Sequence, residues 1–117
     1  MKILYLDDDE INRLVVSKLV EGKFEIDAVE KAEEALELAK KNNYEVLLLD
    51  INLNDPNIDG FGVLQSLKTF SHLKDSKYIA HTNYFGEEWE LRCTNKGFNS
   101  YLSKPFILSE FEKLLKQ

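Results

Sequence analysis

Three carboxylates in a row, Asp7-Asp8-Asp9, follow the apolar run Ile3-Leu4-Tyr5-Leu6, and a fourth, Asp50, follows Val46-Leu47-Leu48-Leu49. Thr82 closes the stretch that begins at Tyr78, and Lys104-Pro105 comes just after Ser100-Tyr101-Leu102. Carboxylates gathered at one edge repel one another, so such a cluster raises the pKa of a member or recruits a cation. Oxygen donors with no neighbouring His or Cys suit Mg²⁺ rather than zinc or copper. A carboxylate is also a nucleophile toward phosphoryl groups, forming an aspartyl phosphate when a metal neutralises the incoming charge. Asp50 stands apart from the acidic run, at the end of the most apolar segment, and is the better nucleophile candidate. Lys104 would then pair with one phosphoryl oxygen and Thr82 would donate a hydrogen bond to another.

Residues so far apart in the chain meet only if the elements between them bring them to one rim. Short continuous apolar runs alternate with longer stretches spaced at three and four, the pattern of β/α units. Five strands are predicted, at Ile3 to Leu6, Phe24 to Ala28, Val46 to Leu49, Tyr78 to His81 and Ser100 to Leu102. The first and third are apolar throughout, as central parallel strands are. Helical spacing predicts an apolar face of Ile11, Leu14, Val15 and Leu19, with Lys18 beside it, then Ala32, Ala35, Leu36 and Ala39, then Val63, Leu64 and Leu67. A fourth helix is expected around residues 86 to 95, where Phe85, Trp89 and Cys93 keep the spacing, and a last one carries Leu108, Phe111, Leu114 and Leu115. A (βα)5 chain with a parallel sheet places its functional groups in loops at the carboxyl ends of the strands. Those loops hold the acids, Thr82 and Lys104.

Composition bounds the rest. With 117 residues, 44% apolar and 31% charged, five glycines and two prolines, the chain is expected to form one compact domain spanning residues 1–117. Fifteen basic against twenty-one acidic residues give a formal charge of −6, the wrong sign for gripping nucleic-acid phosphates. The apolar runs are too short for a signal-peptide core or a membrane span, and the single Cys93 forms no internal disulfide, so a cytoplasmic setting is expected.

At these residues the chain resembles a receiver domain of the bacterial response-regulator family, along its full length. The resemblance rests on Asp7-Asp8, Asp50, Asp59-Gly60 opening the third helix, Thr82, Tyr101 and Lys104-Pro105-Phe106. It implies a flavodoxin-like three-layer α/β sandwich with a five-stranded parallel sheet in the order 2-1-3-4-5. It implies that Asp50 accepts a phosphoryl group from a phosphohistidine on a sensor histidine kinase or histidine phosphotransfer protein. Asp8, Asp50 and the Asn52 backbone carbonyl would hold Mg²⁺, with Asp7 acting through a bound water. Thr82 and Tyr101 would form a switch pair that alters the face of helix four, strand five and helix five for a partner. Lys104 would contact the phosphoryl oxygen, and its bond to Pro105 would be cis. Such a protein catalyses its own phosphotransfer and dephosphorylation without being a turnover enzyme.

Two features depart from the family's pattern. The segment Ile51-Asn-Leu-Asn-Asp-Pro-Asn-Ile58 is about two residues longer than usual, and Asn83 stands where a small residue is common. The bulkier amide would narrow access to the site and lengthen the life of the phosphorylated form, and Tyr84, on the same rim, would modulate that step.

Plainer readings apply to the same residues. An Asp run also caps helices, Thr82 is an ordinary strand terminus, Tyr101 is equally a packing tyrosine, and Phe85 and Trp89 read as core anchors. His81 should point away from the site because strand side chains alternate, and His72 and Cys93 show no base or nucleophile partner. Asp7-x-Asp9 also fits a haloacid-dehalogenase-like phosphohydrolase, with Asp7 as nucleophile and Asp9 as acid/base. That reading requires a later paired-Asp motif and a cap for which the chain has no room. A partner-binding receiver that is never phosphorylated is the third alternative. The cognate kinase and the output are open, as is whether the receiver stands alone or belongs to a larger protein.

Overall fold

The computed structural model describes residues 1–117. Five strands, β1 (Lys2–Leu6), β2 (Glu25–Val29), β3 (Val46–Leu49), β4 (Lys77–Thr82) and β5 (Ser100–Ser103), form one parallel sheet in the order β2-β1-β3-β4-β5. Between and after them lie α1 (Glu10–Val20), α2 (Ala32–Lys41), α3 (Gly60–Lys68), α4 (Glu87–Lys96) and α5 (Leu108–Leu115), with a 3₁₀ turn at Ser71–Leu73. The expected class and strand order are what the chain adopts.

Alternation along the strands splits the core into two layers. Leu4, Leu6, Leu47, Leu49 and Ala80 face α2, α3 and α4, meeting Ala32, Ala35, Ala39, Val63, Leu64, Leu67 and Cys93. Ile3, Tyr5, Val46, Leu48 and Ile79 face the opposite way, against Val16 and Val20 of α1 and Phe111 of α5. Strands β1 and β3 are buried on both faces, which is why their sequences are apolar without alternation.

The structure corrects the apolar face assigned to α1. Ile11, Leu14, Val15 and Leu19 are exposed, Ile11 by 71%, and the helix instead buries Val16 and Val20. Both faces of this helix carry aliphatic residues, so spacing alone could not choose between them. The choice is made at its first turn, where the Asn12 amide reaches Asp7 Oδ2 and the Arg13 guanidinium reaches the Asp7 carbonyl, turning that edge toward the sheet. Boundaries move as well: β2 begins at Glu25 rather than Phe24, whose ring packs edge-on against Phe111 instead. Phe85 is 79% exposed and is no core anchor, while Trp89, half-buried, stacks on Tyr84. Gly86 and Gly97, at φ 105° and 115°, bracket α4 in conformations that favour glycine and so fix a helix that propensity left weak.

One glycine sets the position of Asp50. A Cβ at Gly60, the first residue of α3, would come within 2.2 Å of the Asp50 carbonyl oxygen and 2.5 Å of the Ile51 Cα. Those contacts are backbone and cannot swing aside. Gly60→Ala is therefore expected to destabilise the protein by about 1–3 kcal/mol, despite alanine's better helix propensity, as measured by urea unfolding. Unchanged stability would show that the close approach of α3 to β3 is not required.

Candidate functional site

The strand ladders continue past the strand ends and pin the functional backbones. Asp7 N–H donates to the Val29 carbonyl at 3.1 Å, Asp50 N–H to the Leu6 carbonyl at 2.9 Å, and Lys104 N–H to the Thr82 carbonyl at 2.8 Å. Asp7, Asp50, Thr82 and Lys104 are thereby fixed at neighbouring carboxyl ends of the sheet. With Asp8, Asp9, Asn12, Asn52, Asn54, Asn83 and Tyr84 they line one polar cavity of about 170 Å³. The Lys104-Pro105 peptide bond is cis.

Lys104 lies at the centre of the charges. Its ammonium sits 2.8 Å from Asp7 Oδ2 and 3.0 Å from Asp50 Oδ2, with all three side chains almost fully buried. Burial disfavours every one of these charges. At Lys104 the two carboxylates outweigh it and hold the ammonium's pKa above its ordinary value. At Asp7 burial is outweighed by hydrogen bonds from Lys104, Tyr5 and the Asp9 N–H, so its pKa lies below the usual carboxylate range. At Asp50 burial dominates over the help from Lys104, and the carboxyl is pushed up to about 6. The two acids thus share one ammonium unequally: Asp7 is a stable anion, and Asp50 is the one whose charge is least well compensated.

Each other expected residue has a definite place. Asp8 is half-buried at the mouth, and one carboxylate oxygen from each of Asp7, Asp8 and Asp50 falls within 4.8 Å of the others. Asn52 lines the cavity and its N–H donates to Asp50 Oδ1 at 3.1 Å. Thr82 Oγ1 accepts the Tyr84 N–H at 3.2 Å, which leaves its own proton available to a ligand. Tyr101 lies outside the cavity. Its hydroxyl donates to the Tyr84 carbonyl, so Tyr84 joins Tyr101 to Thr82 through one residue's backbone.

Asp9 has a different job from its neighbours, since its Oδ1 accepts from the N–H groups of Ile11 and Asn12 and caps α1. Both Asp7 oxygens are engaged by protein donors as well, which gives no support to Asp7 as nucleophile and Asp9 as acid/base. His81 points to the opposite face, packed against Tyr5 and Phe106, with burial pushing its pKa down to about 3. His72 bonds the Ala39 carbonyl at 2.7 Å, and burial pushes the Cys93 thiol up to about 11. None of the three takes part in the site.

Tyr5 and Asn54 are among the contributors absent from the sequence reading. Tyr5 donates to Asp7 Oδ2 at 2.6 Å, a partner that two-residue spacing on one strand face could have indicated. Asn54 donates its backbone N–H to Asp8 Oδ2 at 2.8 Å, and nothing in the sequence signals that contact.

Comparison with known proteins agrees with this fold. The model of the response regulator receiver domain matches residues 3–116. The chain is 37% identical over 111 residues to the transcriptional regulatory protein HprR of Escherichia coli, covering 94% of this chain and 48% of HprR, so it spans about half that relative's length. Its fold is similar to chemotaxis protein CheY4 of Vibrio cholerae, with a TM-score of 0.86 and 27% identity over 98% of this chain and 95% of the other. It is also similar to the receiver domain of the sensor histidine kinase PA1611 of Pseudomonas aeruginosa, a structure with magnesium coordinated in the active-site cleft, at a TM-score of 0.85 and 24% identity over 98% and 93%. A family model that spans nearly the whole sequence, matched on the fold whose strand ends gather these groups, places the chain in the response regulator receiver domain family.

Proposed function

We propose that residues 1–117 form a receiver unit in which Asp50 is the phosphoacceptor, taking a phosphoryl group from the phosphohistidine of a sensor histidine kinase or histidine phosphotransfer protein. The observation that carries this reading is the buried Asp50 carboxylate, 3.0 Å from the Lys104 ammonium in a cavity shared with Asp7, Asp8 and Thr82. An Asp50 oxygen forms the bond to phosphorus as the phosphorus–nitrogen bond of the donor breaks. The electron pair of that bond stays on the imidazole. Lys104 is in reach of the new phosphoryl oxygens, and Thr82 has a free proton to donate to one of them.

The donor set fits Mg²⁺: all oxygen, with three carboxylates close enough to share one ion and only one ammonium to offset them. Asp8, Asp50 and the Asn52 carbonyl would hold it directly and Asp7 through a water. When bound, the ion supplies charge neutralisation at the phosphoryl oxygens. The protein's own part is to keep Asp50 aimed and dry.

Two surfaces complete the reading. The exposed apolar stripe Ile11, Leu14, Val15 and Leu19 runs along α1 directly from the site, an unusual concentration of surface aliphatic residues suited to the helices of a phosphohistidine protein. The α4-β5-α5 face would carry the output, because Thr82 and Tyr101 are coupled through Tyr84 and a phosphoryl group that draws Thr82 inward shifts the population of that segment. The setting expected for such a relay is the cytoplasm, and no helix is long and apolar enough to cross a membrane.

Incubation with Mg²⁺ and a small phosphodonor should label the parent stoichiometrically and leave Asp50→Asn unlabelled; label on the variant would refute Asp50 as the acceptor. The elevated Asp50 pKa has a consequence for stability. With the folded value at about 6 against an ordinary 3.8, the folded state holds the extra proton between those pH values. Stability is therefore lost as pH rises through that window. In chelator at pH 7.5, Asp50→Asn is expected to exceed the parent by about 1–3 kcal/mol in urea unfolding, with the gap closing near pH 4. Equal stabilities at pH 7.5 would contradict the charge analysis. On α1, Leu14→Ser should keep stability within about 0.5 kcal/mol and preserve labelling by the small donor. It should slow transfer from a phosphorylated histidine protein, and transfer at the parental rate would remove α1 from the docking surface.

A further inference from the structure

We propose that the backbone N–H of Asn54 is a positioning group for the cation site, holding Asp8 in its ligating orientation from the segment between β3 and α3. The proposal rests on the reading of Asp7, Asp8 and Asp50 as an Mg²⁺ site.

The three carboxylates are not equally constrained. Asp7 is fixed by Tyr5, the Asp9 N–H, Asn12 and Lys104, and Asp50 by the Asn52 N–H and Lys104. Asp8 is half-buried and has neither a salt bridge nor a side-chain donor. Its single protein partner is the Asn54 N–H, 2.8 Å from Oδ2, reaching across from a residue forty-six positions away. A carboxylate at a solvent-facing mouth otherwise samples several rotamers, and binding an ion would have to offset that freedom. The Asn54 amide occupies one oxygen and leaves the other to the ion. Hydrogen bonds of this kind to a metal ligand orient it, and their loss typically weakens metal affinity ten- to a hundredfold.

The arm that presents Asn54 is itself anchored. Ile51 is buried, and Leu53 and Ile58 pack on the core on either side of it. The Gly60 N–H closes the segment onto the Ile51 carbonyl at 2.9 Å, where no side chain could fit. The two flanking aliphatic anchors keep the amide in place without any contribution from the Asn54 side chain.

The experiment is calorimetric titration of the full chain with MgCl₂. Asn54→Pro, which removes the N–H and also fixes φ at this position, is expected to bind about ten- to a hundredfold more weakly than the parent, and Asn54→Ala, which loses the side chain but keeps the N–H, to retain the parental affinity. Parental affinity in Asn54→Pro, or equal weakening in both variants, overturns the proposal while leaving the metal reading intact. Failure of the parent itself to bind Mg²⁺ removes the metal reading instead. Should Asn54→Pro not fold, amide hydrogen exchange on the parent decides: the Asn54 N–H is expected to be protected with and without Mg²⁺ and to exchange quickly in Asp8→Ala. A rapidly exchanging Asn54 amide in the parent overturns the proposal.

Discussion

One ammonium between two buried carboxylates governs the architecture of this site. Asp7 and Asp50 stand at the ends of adjacent strands, withdrawn from water, and neither could stay ionised there without a counter-charge. Lys104 supplies it from the edge of the sheet. Strand β5 lies two places from β3, so the ammonium crosses the end of β4 to reach the carboxylates, and the 2-1-3-4-5 order with the Thr82-to-Lys104 backbone bond sets that span. A single positive charge cannot satisfy both acids equally. Tyr5 and the Asp9 N–H tip the balance toward Asp7, leaving Asp50 as the carboxylate whose charge is less well compensated.

The elements around that ammonium are placed by contacts to the same carboxylates. Asp9 starts α1 as its cap, while Asn12 and Arg13 reach back to Asp7 and set the rotation of the helix. The valines at 16 and 20 go inward, and four larger aliphatic residues remain outside. The exposed stripe thus begins beside the site, on the side of α1 away from the sheet. Across the cavity, Gly60 lets α3 approach the Asp50 backbone closely, and the segment before it folds over Asp8.

On the far side, Tyr84 gathers several interactions in one residue. Its N–H meets Thr82, its carbonyl meets Tyr101, and its ring stacks on Trp89 at 4.3 Å, with the Arg92 guanidinium 4.4 Å from the indole centre. The aromatic stack ties the segment after β4 to α4.

Much of this was legible in the sequence for a physical reason. Parallel strands buried on both faces must be apolar throughout, so β1 and β3 declared themselves and marked Asp7, Asp8 and Asp50 as strand-end groups. Thr82 and Lys104 followed from the placement of functional groups at the carboxyl ends of parallel strands, and the cis bond before Pro105 agrees with the family resemblance. What spacing could not decide were matters of orientation and long-range contact. Helix α1 has aliphatic residues on more than one face, and its inward face is fixed by tertiary contacts, among them the hydrogen bonds to Asp7 and the packing of Val16 and Val20. Phe85 keeps helical spacing with Trp89, yet it precedes a glycine in a left-handed conformation and is left outside. The unequal sharing of Lys104, the Tyr5 partner and the Asn54 amide over Asp8 depend on distances of a few ångströms between residues far apart in the chain. Residue type and periodicity, properties of the chain alone, determined the fold and the groups gathered at its strand ends; tertiary packing decided which carboxylate is held charged and which is less well compensated.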